Sequence, residues 1–398
     1  MKIKDTLNAI DVFQKTVDYW NEKSFSGKDV SDILATPLFI WLNKLTTNYK
    51  WGKYVYYPFI QTVNRFPNVL RNTFNLNSNN KYPQAHAVII RGLIQVYKQN
   101  QDEKLKALIF KLSDEILEMR NRDYEYLCWG QPYNWPSKSL MKANVPRTTV
   151  TSQVASAFLD IFETFNDDKF LTYAEECCEF YIKYLNYSED SDGDICFSYT
   201  TKDHYHVHNP SMMAAAVLQR TFYHNGNSRY GEISEKASNY TAKYQNDDGS
   251  FYYRGKPDNI KGMIDNYHTG FVLESYQELK NYSKGNFKYE KTLQKGIKFY
   301  VDNFFDDGRK PKYRPNKLYP IDIQGCGQSL ITLTMSKDSE HINQKLINDV
   351  YNFTIDKFFN QNGYFYYRYY TSSRVDKNAY IRWGDSWMIR ALGLMINK

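Results

Sequence analysis

Six stretches of the chain are apolar or small on nearly every side, and each opens on a polar or cap-type residue. They start at Gln84, Thr151, Asn209, Asp265, Asp322 and Arg382, on average about 60 residues apart. A helix with no polar face has no side to give to water, so these stretches predict six buried helices. Longer amphipathic stretches lie between them, clearest over 168–185, 229–244, 289–304 and 339–359. Their charged faces predict helices on the outside. Several end in a turn followed by aromatics, as in Asp248-Gly249-Ser250-Phe251-Tyr252-Tyr253 and Asn362-Gly363-Tyr364-Phe365. Those read as short hairpins or extended loops.

A buried helix alternating with an amphipathic one, six times over, predicts an all-α fold, an (α/α)6 toroid with short β-hairpin and loop insertions. Each hairpin repeats the same up-down step. The inner helices therefore run parallel, and their N-termini open on one face. Residues 1–83 read as N-terminal helices that complete the ring, and residues 84–398 as the toroid itself. No Pro/Gly/Ser-rich linker interrupts the pattern, so the whole reads as one domain. A terpene-cyclase-like barrel would carry an Asp-Asp-x-x-Asp metal motif, and Asp306-Asp307 lacks the third Asp. An open solenoid would not bury helices at both ends of the chain.

Composition then narrows the class. Of 398 residues, 42% are hydrophobic, which excludes global disorder. No apolar run reaches the roughly 18 residues of a membrane helix. The opening Met1-Lys2-Ile3-Lys4-Asp5 has no apolar core of a secretory signal behind it. Five cysteines, two of them adjacent at Cys177-Cys178, make no disulfide framework, so a cytoplasmic location is expected. The net charge of +7 is spread along the chain, which argues against nucleic acid. It leaves room for an acidic ligand. The 36 Tyr, 24 Phe and 7 Trp supply rings with an apolar face and a polar tip, suited to stacking on sugars. No cofactor or metal is expected. His204, His206 and His208 have no carboxylate or thiolate partner at a fixed spacing, and the Asp190–Asp194 run lacks the Gly and Glu positions of a calcium loop.

The motifs resemble one family. Cys128-Trp129-Gly130 with Trp135, Thr151 and Asn209 at helix openings, Asp248-Gly249-Ser250-Phe251-Tyr252-Tyr253 and Asp265-Asn266-Tyr267-His268-Thr269-Gly270 come first. Asp322-Ile323-Gln324 and Arg382-Trp383-Gly384 follow in order. On these segments the chain, from about residue 84 onward, resembles the VpsJ-like polysaccharide-biosynthesis proteins, relatives of the six-hairpin glycan-active enzymes. The resemblance implies the toroid fold and a role on a bacterial surface polysaccharide. Its partners would be an oligosaccharide or polysaccharide and other polysaccharide-assembly proteins, with no membrane insertion.

Three chemistries compete at the expected mouth. Asp265, Asp322 and Asp385 stand at or near the starts of three inner helices. A pair of such carboxylates is the acid–base machinery of a glycoside hydrolase, which is the leading expectation. Asp is also a preferred helix N-cap, which is the competing reading of each. In the second chemistry Tyr267 or His268 removes a proton α to a sugar carboxylate, as in a lyase or uronyl C5-epimerase. Asn266 and Arg382 would then hold the developing charge. Trp129, Trp135, Gln324 and Trp383 are expected to bind the sugar. The third possibility is a non-catalytic glycan-binding scaffold.

Overall fold

A computed structural model describes residues 7–49, 51–65, 67–73, 76, 79–136, 140–255 and 262–397. The inner helices are α5 (Pro83–Asn100), α7 (Thr148–Phe165), α9 (His208–Asn225), α11 (Asn266–Asn281), α13 (Ile323–Met335) and α15 (Ser386–Ile396). Each packs against the next, and α15 packs back on α5, so the ring closes. The outer helices are α6 (Glu103–Glu118), α8 (Asp168–Tyr184), α10 (Ser228–Lys243), α12 (Glu290–Phe304) and α14 (Gln344–Phe358). Each lies on the inner helix before it. The sixth outer place, against α15, is taken by α1 (Ala9–Glu22). This is the all-α toroid that the alternation predicts.

The local reasons follow the pattern. In α13 every residue from Ile323 to Thr334 is buried, as a helix ringed by others must be. In α12 the buried residues Leu293, Gly296, Ile297, Tyr300 and Phe304 recur at three- and four-residue steps, a single inward stripe. Asp102, Asp167, Asn227 and Asn343 cap four outer helices, their side chains accepting from N–H groups of the first turn. Ring closure needs glycine. At the α5–α15 crossing a Cβ on Gly393 would lie 2.4 Å from the Gly92 carbonyl oxygen. Only a residue without a side chain lets the two backbones meet there.

Short antiparallel pairs join outer helices to the next inner ones, at 187–189 with 195–197, 305–306 with 310–311 and 359–360 with 364–365. A three-stranded patch pairs Ile321–Asp322 with Arg368–Tyr369, and the latter with Val375–Asp376. Toward the other end, an ion network crosses between the inner helices. Arg91 meets Asp160 at 3.0 Å and Glu278 at 2.8 Å, Arg220 meets Asp160 and Glu163, both at 2.6 Å, and Arg390 meets Glu274. Charges this deep cost desolvation, so the network specifies which helices adjoin more than it adds stability. Between α1 and α5, α2 (Pro37–Asn48), α3 (Gly52–Arg65) and α4 (Pro67–Thr73) gather a small core of their own around Ile33, Phe39 and Val63.

Candidate active site

One cavity of about 250 Å³ opens where the inner helices begin. Its wall takes Gln84 from α5, Thr149 from α7, Asn209 from α9, Tyr267 and His268 from α11, Gln324 from α13, and Arg382 and Trp383 from the turn before α15. Loops add Tyr133, Trp135, Arg147, Asp203, Tyr253 and Arg254. The parallel inner helices thus bring their N-terminal ends to one mouth. Five buried polar atoms on this wall have no hydrogen-bond partner among the described residues: Gln131 Oε1, Arg147 Nε, Asn209 Oδ1, Gln324 Oε1 and Trp383 Nε1. Buried polar groups are normally paired, so a wall with five unpaired ones is built for a polar ligand.

His268 lines this mouth and is held by Asp265. Asp265 caps α11 through Oδ1, which accepts from the His268 N–H at 3.0 Å. Its Oδ2 accepts from His268 Nδ1–H at 2.7 Å. A carboxylate can only accept, so this bond places a ring proton on Nδ1, and in the neutral imidazole Nε2 then carries the lone pair. Tyr253 and Tyr267 pack against the imidazole at a tilt, both with ring centroids 4.4 Å away. Burial, reinforced by the Asp265 charge and by Tyr313, pushes the Tyr267 hydroxyl well above its ordinary value. That direction favours the protonated phenol over the phenolate that a base would need.

Several expected roles are corrected. Asp322 caps α13, accepting from Gly325 N–H at 2.7 Å, and its other oxygen pairs with Arg368 at 3.1 Å. Asp385 accepts from Phe365 N–H at 2.8 Å in the neighbouring hairpin. None of Asp265, Asp322 and Asp385 lines the mouth cavity, so they do not converge on a bond there. Asn266 Oδ1 accepts from Tyr300 at 2.8 Å and Ser329 at 3.2 Å, tying helices together away from the cavity. Trp129 is fully buried, its Nε1 donating to Ile116 O at 2.7 Å, and no face is left for a sugar. Arg382 does line the mouth, but its Nε and Nη2 are spent on Asp29 at 2.5 and 2.8 Å. Burial opposes the Asp29 charge. The guanidinium more than offsets this and holds the carboxyl below its usual range. Trp135, Gln324 and Trp383 are on the wall as expected.

The loops supply what the sequence reading missed. Arg147 and Arg254 face the cavity with no carboxylate partner among the described residues, and Arg254 lies 4.5 Å above the Tyr205 ring. Asp203 is the one carboxylate on the wall among the described residues, and it is occupied. Its oxygens accept from Tyr199 N–H, Tyr205 N–H and the Thr200 hydroxyl. The signal for Arg147 was its place directly before an inner helix, shared with Asp265 and Asp322. Among the described residues the one cluster of metal-type side chains is Asp190, Asp192 and Asp194, and Lys243 pairs with all three. His208, from the other run considered for a metal, is buried at the start of α9 and meets Thr241 Oγ1 at 3.3 Å.

Asp385 yields a stability prediction. Burial raises its carboxyl well above the ordinary value, so the folded chain holds a proton that the unfolded chain releases from about pH 4. Wild-type stability then falls as pH rises through that window, by up to about 1.4 kcal/mol per unit. Asp385→Asn has no proton to lose. Its melting temperature relative to wild type should climb between pH 4 and pH 8, as read by thermal denaturation in a buffer series.

A six-hairpin ring with one polar mouth defines the class: an (α/α)6 toroid of the six-hairpin glycosidase-like fold. Cellobiose 2-epimerase from Bacillus thermoamylovorans superposes with a TM-score of 0.62 at 9% identity, over 79% of this chain and 87% of that one. The α-1,6-mannanase of Salegentibacter sp. gives 0.58 at 14%, over 81% and 91%. A polysaccharide lyase gives 0.55 at 12%, over 77% and 88%. At such identities the likeness is one of fold. No family model and no curated protein sequence matches the chain.

Proposed function

We propose that the protein is a carbohydrate-active enzyme that removes a proton from an acidic sugar, with His268 as the base. The observation that carries this is the Asp265–His268 pair on the cavity wall, with Nε2 left for a substrate. The C–H bond α to a uronate carboxylate breaks, and its proton passes to Nε2. The electron pair spreads into the carboxylate, which Arg147 and Arg254 are placed to neutralise. From that intermediate, expulsion of the glycosidic oxygen at the neighbouring carbon is a lyase reaction. Return of a proton to the opposite face is an epimerisation, and Tyr267 is a protonated donor for either outcome.

Hydrolysis by paired carboxylates is less well supported. A Salegentibacter mannanase variant in which two consecutive aspartates are replaced is inactive, and it was solved with mannotriose. The consecutive aspartates of this chain, Asp167-Asp168, Asp247-Asp248 and Asp306-Asp307, do not line the cavity. Membership of the VpsJ-like group, a cytoplasmic location and a place in surface-polysaccharide biosynthesis belong to the same proposal. The first and last rest on the motif resemblance, and the location on the cysteine pattern.

Incubation with uronate-containing oligosaccharides in heavy water tests the reaction. The expected result is either deuterium at the carbon α to the carboxylate, which marks an epimerisation, or the absorbance of an unsaturated uronate, which marks a lyase. New reducing ends from a neutral oligosaccharide, with neither of those signals, would restore the hydrolase. Binding without any turnover would make the protein a scaffold.

A further inference from the structure

The charge is less evenly spread than its total suggests. Between Asp32 and Asp102 the sequence holds no acidic residue, and it holds eight basic ones, from Lys44 to Lys98. Lys44 lies in α2 and Lys53 in α3, both exposed. These two helices pack on each other around a core separate from that of the ring. Their outer side is aromatic: Trp41 is 57% exposed, Trp51 53% and Tyr54 72%. Tyr49 stacks on Trp51 at 5.5 Å, and the Lys53 ammonium sits 5.1 Å from the Tyr54 ring centre. Leu38 and Val55 extend the apolar surface. Single exposed apolar residues are ordinary, but a run of them around one helical hairpin is not.

We infer that this hairpin docks the protein on an anionic phospholipid surface. Tryptophan and tyrosine collect at membrane–water boundaries because one end of the ring is apolar and the other polar, and lysine adds attraction to anionic headgroups. The hairpin combines these residue types with a stretch of sequence that holds no acidic residue. It does not cross the bilayer, since no helix among the described residues is long and apolar enough. Its position gives the docking a purpose. α2 touches the strand Trp135–Pro136, and Trp135 is on the cavity wall. Arg71 of α4 donates to Tyr380 Oη at 2.9 Å and to the carbonyl of Asp29, the partner of Arg382. A saccharide carried at a membrane surface would therefore meet the mouth directly. The inference is independent of the reaction proposed above.

Sedimentation of the full chain with vesicles tests it. Phosphatidylglycerol–phosphatidylcholine vesicles should pellet the protein at low salt and release it as salt rises. Trp41→Ser with Trp51→Ser should weaken binding about ten-fold or more, and Lys44→Gln or Lys53→Gln about five-fold each. All four side chains are exposed, so melting temperatures should stay at the wild-type value. Equal binding to pure phosphatidylcholine overturns the inference, as does a double tryptophan variant that still binds like wild type. Failure to pellet with any vesicle, or capture of a soluble uronate polymer in place of vesicles through the same tryptophans, also overturns it.

Discussion

His268→Ala is expected to lower kcat on a uronate-containing oligosaccharide by about 10²–10⁴-fold, the usual worth of a positioned acid–base group. The argument rests on Nε2, the one ring nitrogen that the Asp265 bond leaves for a substrate. Asp265→Asn is the sharper test. Asparagine caps a helix about as well as aspartate, so Oδ1 can go on accepting from the His268 N–H and α11 should stay in place. The amide nitrogen, however, would face Nδ1 and donate to it. The imidazole proton would then move to Nε2, and the base would be lost with the fold intact. The expected result is a melting temperature near wild type, a large fall in kcat and little change in KM. Wild-type kcat in Asp265→Asn would remove His268 from the role of base. A fall in both stability and activity would show that the aspartate is chiefly a cap.

The second large effect concerns closure of the ring. A Cβ at Gly92 would lie 2.7 Å from the Ile389 carbonyl oxygen, and one at Gly393 would lie 2.4 Å from the Gly92 carbonyl oxygen. In both cases the colliding atom is backbone, which cannot swing aside as a side-chain tip can. Gly393→Ala and Gly92→Ala should each cost about 3 kcal/mol, the upper end for overpacking. Chemical denaturation would measure it. The two substitutions press on the same crossing, so the double variant should lose less than the sum of the single losses. Near-neutral single variants would mean that the first and last inner helices part readily. The ring would then owe little of its stability to that contact.

Much of the architecture was legible because burial leaves a local trace. A helix covered on all sides cannot afford a polar stripe, and residues such as Ile323 to Thr334 show that in the sequence alone. The outer helices show a single inward face for the same reason. Asp265 and Asp322 were legible as residues at helix starts, since capping depends on the first turn only. The site was harder. Trp129 sits in a Gly-containing loop that reads as exposed, yet its ring is sealed against Phe158 and bonded to Ile116 O. Arg382 reads as a free binder of anions, but its partner Asp29 is 353 positions away. Nothing near either residue in the chain records those contacts.

By itself the sequence determined the six inner helices, four of the outer ones and the alternation that makes a ring. Those properties come from the period and composition of short segments, which each segment carries within itself. α6 and the placing of α1 as the sixth outer helix came from the tertiary structure. Only the tertiary structure decided which charged and aromatic groups reach the mouth. Arg147, Tyr253 and Arg254 arrive on loops held by residues distant in sequence, Arg147 bridged to Thr200 and Arg254 to Val207. Asp322 and Asp385 are turned aside by Arg368 and by the Phe365 backbone. A side chain's direction depends on neighbours distant in sequence. The same aspartate at the start of a helix can therefore hold a histidine in one hairpin and only a backbone in another.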